Sequence, residues 1–214
     1  MAKRRKVGNL LGLAVLSTVS AKPMHPYEMA CLMRARGKDR DMPIKWGSLY
    51  TVVGNLEKHG FLAVEGSSRQ GARPERTVYR ITDAGREELA DWVRELVGVP
   101  ERERPRFEAG LSVLSVLGPD EAERLLRARL AATEREIAED LAGLEAVSEV
   151  PRLFLLEAEY DLAMRRAEAE WVRGLLAEIE QGTLPDLGTW RAFHETGELP
   201  PEIAELAERG APKD

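Results

Sequence analysis

Apolar residues in the first part of the chain recur every three or four positions. This period predicts a helix over residues 7–20. A second helix is predicted over 26–37, because proline suits the first helical position and glycine suits a helix end. A third is predicted over 48–60, where the apolar positions form one stripe and a glycine again ends the pattern.

The apolar period then changes from about 3.6 residues to two. Residues 61–68 and 76–82 alternate as strands do, and the Gly- and Pro-containing segment between them predicts a hairpin with a basic tip. Asp83 is expected to cap a fourth helix over 84–97. Three helices, two strands and a helix in this order are the layout of a winged helix.

The pattern beyond residue 100 is helical throughout. A short helix is predicted over 106–118, and two long helices over 120–146 and 151–181. Helices of this length suggest an antiparallel hairpin that pairs with a second copy. The apolar positions of the long helices are Leu125, Leu126, Leu130, Ile137, Leu141 and Leu144 in the first, and Leu153, Leu156, Tyr160, Met164, Ala167, Trp171, Leu175 and Ile179 in the second.

These elements predict a mainly α fold, in which an α+β winged helix precedes an all-α antiparallel helical dimerisation arm. The predicted domains are a DNA-binding winged helix-turn-helix over 1–98, a linker over 99–105 and a helical dimerisation domain over 106–182. A tail with short helices follows over 183–214.

Charge divides the chain in the same way. Residues 1–86 hold 16 Lys/Arg and 7 Asp/Glu, whereas the remainder holds 15 and 30. A basic first part suits a polyanionic partner such as DNA, and phosphate would repel the acidic second part. The overall net charge of −6 conceals this division.

Candidate catalytic and metal chemistry is sparse. Cys31 is the single cysteine, so an internal disulfide and a cysteine-rich zinc site are excluded, and it is expected to be a small buried hydrophobe. The three histidines lack metal-ligand spacing, and no phosphate-cradling loop or nucleophile elbow occurs. We therefore predict a cytoplasmic protein that is not an enzyme and has no cofactor, no metal and no membrane span.

The N-terminus allows two interpretations. Residues 1–22 run from a basic start through an apolar stretch to small residues, as a signal peptide does. The same stretch fits the first helix of the fold, which we favour because the next helix would otherwise lose its packing partner. The basic run Lys3, Arg4, Arg5 and Lys6 is either an arm that contacts phosphates or a solvated terminus.

Three segments resemble the PadR-type transcriptional regulators: LGLAVLSTVSAKPMHPYEMACLM, WGSLYTVVGNLEKHGFL and YRITDAGREEL. The likeness covers residues 9–90; Pro26 stands where the family usually has glycine, and Thr51 where it often has proline. The resemblance implies a homodimer that binds a double-stranded DNA operator, with the C-terminal helices as dimer arm. A palindromic operator, a repressor role and release by a small-molecule effector are expected with it.

The winged-helix layout places the third helix in the major groove and the hairpin tip beside it. The candidate DNA-binding residues are Lys45, Ser48, Tyr50, Thr51, Asn55, Lys58, Arg69, Arg73 and Arg76. Hydroxyls suit phosphates or base edges, an asparagine suits adenine, and cations suit phosphates. The alternative for each is a solvated helix face or a charged loop.

Trp92 and Trp171 could line an effector pocket, although both also fit as helix-packing anchors. Besides the regulator, a second hypothesis is a dimeric adaptor that uses the winged-helix scaffold for protein contacts without binding DNA. The basic third helix and hairpin tip favour the regulator, because an adaptor would not need them.

Overall fold

The computed structural model describes residues 5–38, 46–68, 76–101 and 105–198. The chain divides into two compact units, Met1–Arg102 and Glu103–Asp214. The predicted linker lies across this division. Each unit has its own apolar core and is described separately below.

The first unit contains four α-helices and a two-stranded sheet among its described residues. They are α1 (Leu10–Val19), α2 (Pro26–Ala35), α3 (Leu49–Lys58), β1 (Leu62–Ser68), β2 (Arg76–Ile81) and α4 (Asp83–Gly98), with a 3₁₀ turn at Trp46–Ser48 before α3. The order agrees with the predicted winged helix, and the boundaries differ by a few residues at most.

The core of this unit lies among α1, α2, α3 and the start of the sheet. Leu11, Val15 and Leu16 of α1 are almost completely buried, together with Met29 of α2 and Leu56 of α3. Burying such a side chain stabilises a fold by about 1.5–3 kcal/mol. The apolar stretch near the N-terminus is therefore a core helix of this fold.

The two strands are antiparallel, and the segment before α2 attaches to them. Leu62 pairs with Ile81 at one end, and the register shifts at a bulge between Val64 and Gly66. The backbones of Met24 and Tyr79 exchange two hydrogen bonds, of 3.1 and 3.2 Å. The turn between α1 and α2 is thereby fixed to the sheet.

The N-cap of α4 is Thr82 rather than the expected Asp83. Thr82 has extended backbone torsions and its hydroxyl accepts from the Gly85 N–H at 3.0 Å, whereas Asp83 is already helical. The same hydroxyl lies 2.6 Å from the carbonyl oxygen of Gly60, to which it donates. One side chain thus joins the start of α4 to the end of α3.

The expectation that Cys31 is buried is wrong, because its thiol-bearing side chain is exposed. The inward positions of α2 are Met29, Ala30 and Met33. These follow helical spacing from a start at Pro26, and Cys31 falls between them on the outer side.

The second unit is helical throughout its described part. It contains α5 (Arg106–Leu111), α6 (Pro119–Ala146), α7 (Leu156–Gln181) and α8 (Leu187–Thr196), with 3₁₀ turns at Leu114–Val116 and Arg152–Phe154. A closing helix was expected near the position of α8. The other segment expected to form a short closing helix, residues 201–210, lies outside the described residues.

Two predicted helices are shorter than expected. The helix predicted over 106–118 ends at Leu111, and the helix predicted over 151–181 begins only at Leu156, after a 3₁₀ turn at Arg152–Phe154. Side chains of α8 bond to the irregular backbone that follows α5. The Trp190 indole donates to the Leu117 carbonyl at 2.8 Å, and His194 Nε2 lies 2.9 Å from the Ser115 carbonyl. These carbonyls bond to α8 side chains rather than to a continuing helix.

Helix α7 buries Ile179 as predicted, but its other buried side chains are not among the predicted apolar positions. Its buried positions are Leu162, Ala169, Val172, Leu176 and Ile179. By contrast, Tyr160, Met164 and Trp171 are 67%, 49% and 51% exposed, and Leu125 and Leu141 of α6 are exposed as well. Helix α7 has two apolar faces, and the sequence does not indicate which one meets α6.

Candidate nucleic-acid interface

Helix α3 presents two chemically different faces. Its buried side chains are Leu49, Val52, Val53 and Leu56, which bind it to the core. The opposite side is exposed and carries Tyr50, Thr51, Asn55 and Lys58, here called the recognition face. The Tyr50 ring is 62% exposed. This face offers two hydroxyls, an amide and a cation, the groups that bind base edges and phosphates.

The other predicted DNA-binding residues have varied positions. Ser48 is half-buried where α3 begins, and its hydroxyl forms no capping hydrogen bond. Arg76 is the first residue of β2. Lys45, Arg69 and Arg73 lie outside the described residues.

Glu57 lies at the edge of the recognition face, where a free carboxylate would repel phosphate. Tyr79 of β2 lies close enough to Glu57 for this carboxylate to act on its phenol. Burial, reinforced by the charge of Glu57, raises the pKa of Tyr79 above its ordinary value of 10.0. The sequence analysis did not predict this pair, because the spacing of residues along the chain does not show that β2 packs beside α3.

A Tyr79→Phe variant is expected to lose less stability than the wild type at high pH. Below pH 10 the phenol is protonated in both folded and unfolded chains, so its contribution is complete. Above pH 10 the unfolded chain ionises first, and stability falls by up to about 1.4 kcal/mol per pH unit until the raised folded pKa is passed. Urea unfolding from pH 9 to 11.5 measures this difference, with the exposed Tyr27→Phe as control; parallel curves for wild type and Tyr79→Phe would contradict it.

Arg5, one of the four basic residues at the N-terminus, is enclosed by α4. Its guanidinium pairs with Glu88 at 2.7 Å and with Glu95, and its side chain is 5% exposed. It also lies 5.1 Å from the centre of the Trp92 ring, a cation–π distance. Burial acts to lower the pKa of Arg5, but the two carboxylates outweigh it and raise the pKa. Arg5 is therefore held within the unit, whereas Lys6 is exposed.

The two tryptophans proposed for an effector pocket have different surroundings. Trp92 is 4% exposed and lies against Gly12 as well as Arg5, which makes it a packing anchor of the first unit. Trp171, in the second unit, meets Phe107 edge-on at 6.1 Å between ring centres. Arg129 lies 3.7 Å above the same Phe107 ring. The effector pocket stays a prediction.

Within the described residues, no group of three or more His, Cys, Asp or Glu side chains is placed to hold a metal ion. The helices in that part of the chain include none with the length and apolar character needed to cross a membrane.

Residues 15–91 match the family described as "Transcriptional regulator PadR-like family". The chain is 28% identical over 99 residues to the negative transcriptional regulator PadR of Bacillus subtilis strain 168. That alignment covers 46% of this chain and 53% of the relative, so the chain spans about half the length of the curated relative.

Solved structures resemble the fold over more of the chain. Bacillus subtilis PadR in complex with operator DNA is 21% identical, with a TM-score of 0.67 over 80% of this chain and 99% of that one. The same protein in complex with p-coumaric acid is 20% identical, with the same TM-score and the same coverage. These similarities concern the fold. The resemblance found in the motifs, and the mainly α fold predicted from the sequence pattern, are both confirmed.

Proposed function

We propose that the chain, whose residues 15–91 match the PadR-like family of transcriptional regulators, is a cytoplasmic, homodimeric repressor that binds a palindromic operator. Two copies of α3 would enter successive major grooves roughly 34 Å apart. A small-molecule effector would release the operator by favouring another spacing of the two first units.

The recognition face carries this proposal. Tyr50, Thr51, Asn55 and Lys58 occupy the one side of α3 that the core leaves exposed. Asn55 is suited to an adenine edge, the two hydroxyls to bases or phosphates, and Lys58 to a phosphate. The other candidate DNA-binding residues include the cations Lys45, Arg69, Arg73 and Arg76. Their side chains would add phosphate contacts beside the recognition face.

The exposed apolar face of the second unit supports the homodimer. Tyr160, Met164 and Trp171 repeat at helical spacing along α7 on a side that α6 does not cover. Leu153 and Phe154, at the hairpin tip, are 72% and 66% exposed. A second copy of this hairpin would bury these side chains.

The effector is proposed to be an aromatic acid that binds near Trp171. Bacillus subtilis PadR has been crystallised with p-coumaric acid. In this chain Trp171, Phe107 and Arg129 place two aromatic rings and a guanidinium close together in the second unit. Such a group suits a ring that carries a carboxylate. Arg129 is paired with Glu168 at 2.7 Å, so the ligand would compete with that pair.

The function is tested by fluorescence-anisotropy titration with DNA from upstream of the encoding gene and with duplexes that the chain recovers from genomic fragments. Tight binding that weakens with salt and exceeds binding to a scrambled duplex is expected. Sedimentation of the complex gives the number of chains bound, and added p-coumaric acid tests release. Failure to bind any of these duplexes at low salt would reject the regulator and favour the adaptor.

A Lys58→Ala variant is expected to weaken DNA binding by a similar factor for every duplex, because a phosphate contact carries no sequence information. The slope of log affinity against log salt should fall by about one. Arg94→Ala is the matched control, since Arg94 is an exposed cation of the same unit that lies on α4 instead of the recognition face. Equal slopes for Lys58→Ala and the wild type would show that Lys58 does not contact a phosphate.

A further inference from the structure

His25, the residue before α2, contacts the recognition face. Its ring centre lies 6.4 Å from that of Tyr50, and the two planes are inclined at 68°. This is an edge-to-face arrangement within the range in which aromatic pairs attract each other. His25 precedes α2 in the sequence and Tyr50 belongs to α3, so the contact joins two helices at the exposed surface.

The His25 ring is held in place by α2. Its Nδ1 accepts a hydrogen bond from the Tyr27 N–H at 3.1 Å, and the His25 N–H donates to Glu28 Oε2 at 3.0 Å. Together these bonds form a capping box. Because Nδ1 is the acceptor, the neutral ring carries its proton on Nε2. Pro26 restricts the backbone beside it further, since its φ angle is nearly constant.

Tyr50 needs such support if it is to bind DNA. Its side chain is 62% exposed, and an exposed tyrosine samples several rotamers unless a neighbour restricts it. A restricted ring loses less conformational entropy when it meets DNA, which raises affinity without a new contact.

We infer that His25 is a positioning residue for Tyr50: it holds the tyrosine ring in its DNA-binding orientation through the edge-to-face contact. The inference rests on the proposed function and adds a residue outside α3 to the recognition apparatus. It also gives the capped N-terminus of α2 a second role. The cap fixes the histidine ring, and the ring orients a side chain of the next helix.

The cap and the ring contact can be separated by substitution. His25→Ser keeps a preferred N-cap residue and the capping box with Glu28 but removes the ring. His25→Phe keeps an aromatic ring but removes the Nδ1 acceptor. The first variant should retain its thermal midpoint and lose affinity by roughly two- to tenfold. The second should melt a few degrees lower and lose less affinity than His25→Ser, because it keeps the aromatic ring but not the bond that fixes it.

A double-mutant cycle of His25→Ser with Tyr50→Ala provides the decisive measurement. Anisotropy is measured with the duplex that binds the wild-type full-length chain. We expect His25→Ser to have little effect in the Tyr50→Ala background, because its target has gone. An undiminished effect there, a loss by His25→Phe that equals that of His25→Ser, or wild-type affinity of His25→Ser would each overturn the inference while leaving DNA binding intact. If the wild type binds no duplex, the proposed function falls and the inference with it.

Discussion

A Gly85→Ala substitution is expected to destabilise the first unit by about 3 kcal/mol or more, a large fraction of the stability of a typical domain. Gly85 lies in the first turn of α4, where the helix passes close to the chain between α3 and β1. An added Cβ would lie 2.1 Å from the carbonyl oxygen of Phe61 and 2.9 Å from a side-chain carbon of Ile81. Contacts this short require the backbone to move.

The surrounding hydrogen bonds make that movement costly. The Phe61 carbonyl accepts from the Thr82 N–H at 3.1 Å, and the Thr82 hydroxyl accepts from the Gly85 N–H at 3.0 Å. Displacing Phe61 would disturb both the cap of α4 and the start of β1, where Leu62 pairs with Ile81. A side chain could rotate away from a new methyl group, but a paired backbone carbonyl has no such freedom.

Gly54→Ala is the matched control for Gly85→Ala. Gly54 is an exposed glycine of α3 in the same unit, and an added Cβ there would meet nothing within 4 Å. The same substitution should therefore stabilise the chain by about 0.5–1 kcal/mol, because alanine is the better helix former. Urea unfolding gives both values, and hydrogen exchange in β1 and α4 locates the loss. Equal midpoints for Gly85→Ala and the wild type would refute the proposed close approach.

The sequence predicts the elements of the first unit well because each has a local signal. Proline at the start of α2, the period change at β1 and the glycine after α3 are all properties of neighbouring residues. The exposed side of α3 follows as the complement of its apolar stripe, so Tyr50 and Lys58 could be selected without a structure. Their binding to DNA is a separate matter, which the titrations address.

The features that could not be predicted from the sequence are contacts between segments that are distant in the sequence. On α7 a second apolar face competes with the one that meets α6, and Tyr160 and Trp171 fall on the exposed side. The His25–Tyr50 and Glu57–Tyr79 pairs each join two elements whose separation depends on the packing of the whole unit. Periodicity describes how a helix divides into faces, but it does not describe what each face meets.

Arg5→Ala is the second substitution with a large expected effect, a loss of about 3 kcal/mol from the first unit. It would remove the cation that Glu88 and Glu95 share, and the side chains of these two acids are only 13% and 20% exposed. It would also remove the guanidinium from the Trp92 ring. Arg5→Lys should recover part of the loss, because an ammonium keeps the charge but not the planar fork that reaches both carboxylates.

The Arg5 effect separates an internal ion pair from a DNA-binding arm. Lys6→Ala is the control, since Lys6 is the adjacent cation and is exposed; it should leave the free energy of unfolding within about 0.5 kcal/mol of wild type. The double variant Glu88→Gln with Glu95→Gln should reduce the penalty of Arg5→Ala, because the two side chains then no longer carry like charges beside each other. If Arg5→Ala unfolds like Lys6→Ala but binds DNA more weakly, Arg5 belongs to the arm, and the ion pairs with α4 contribute little to the fold.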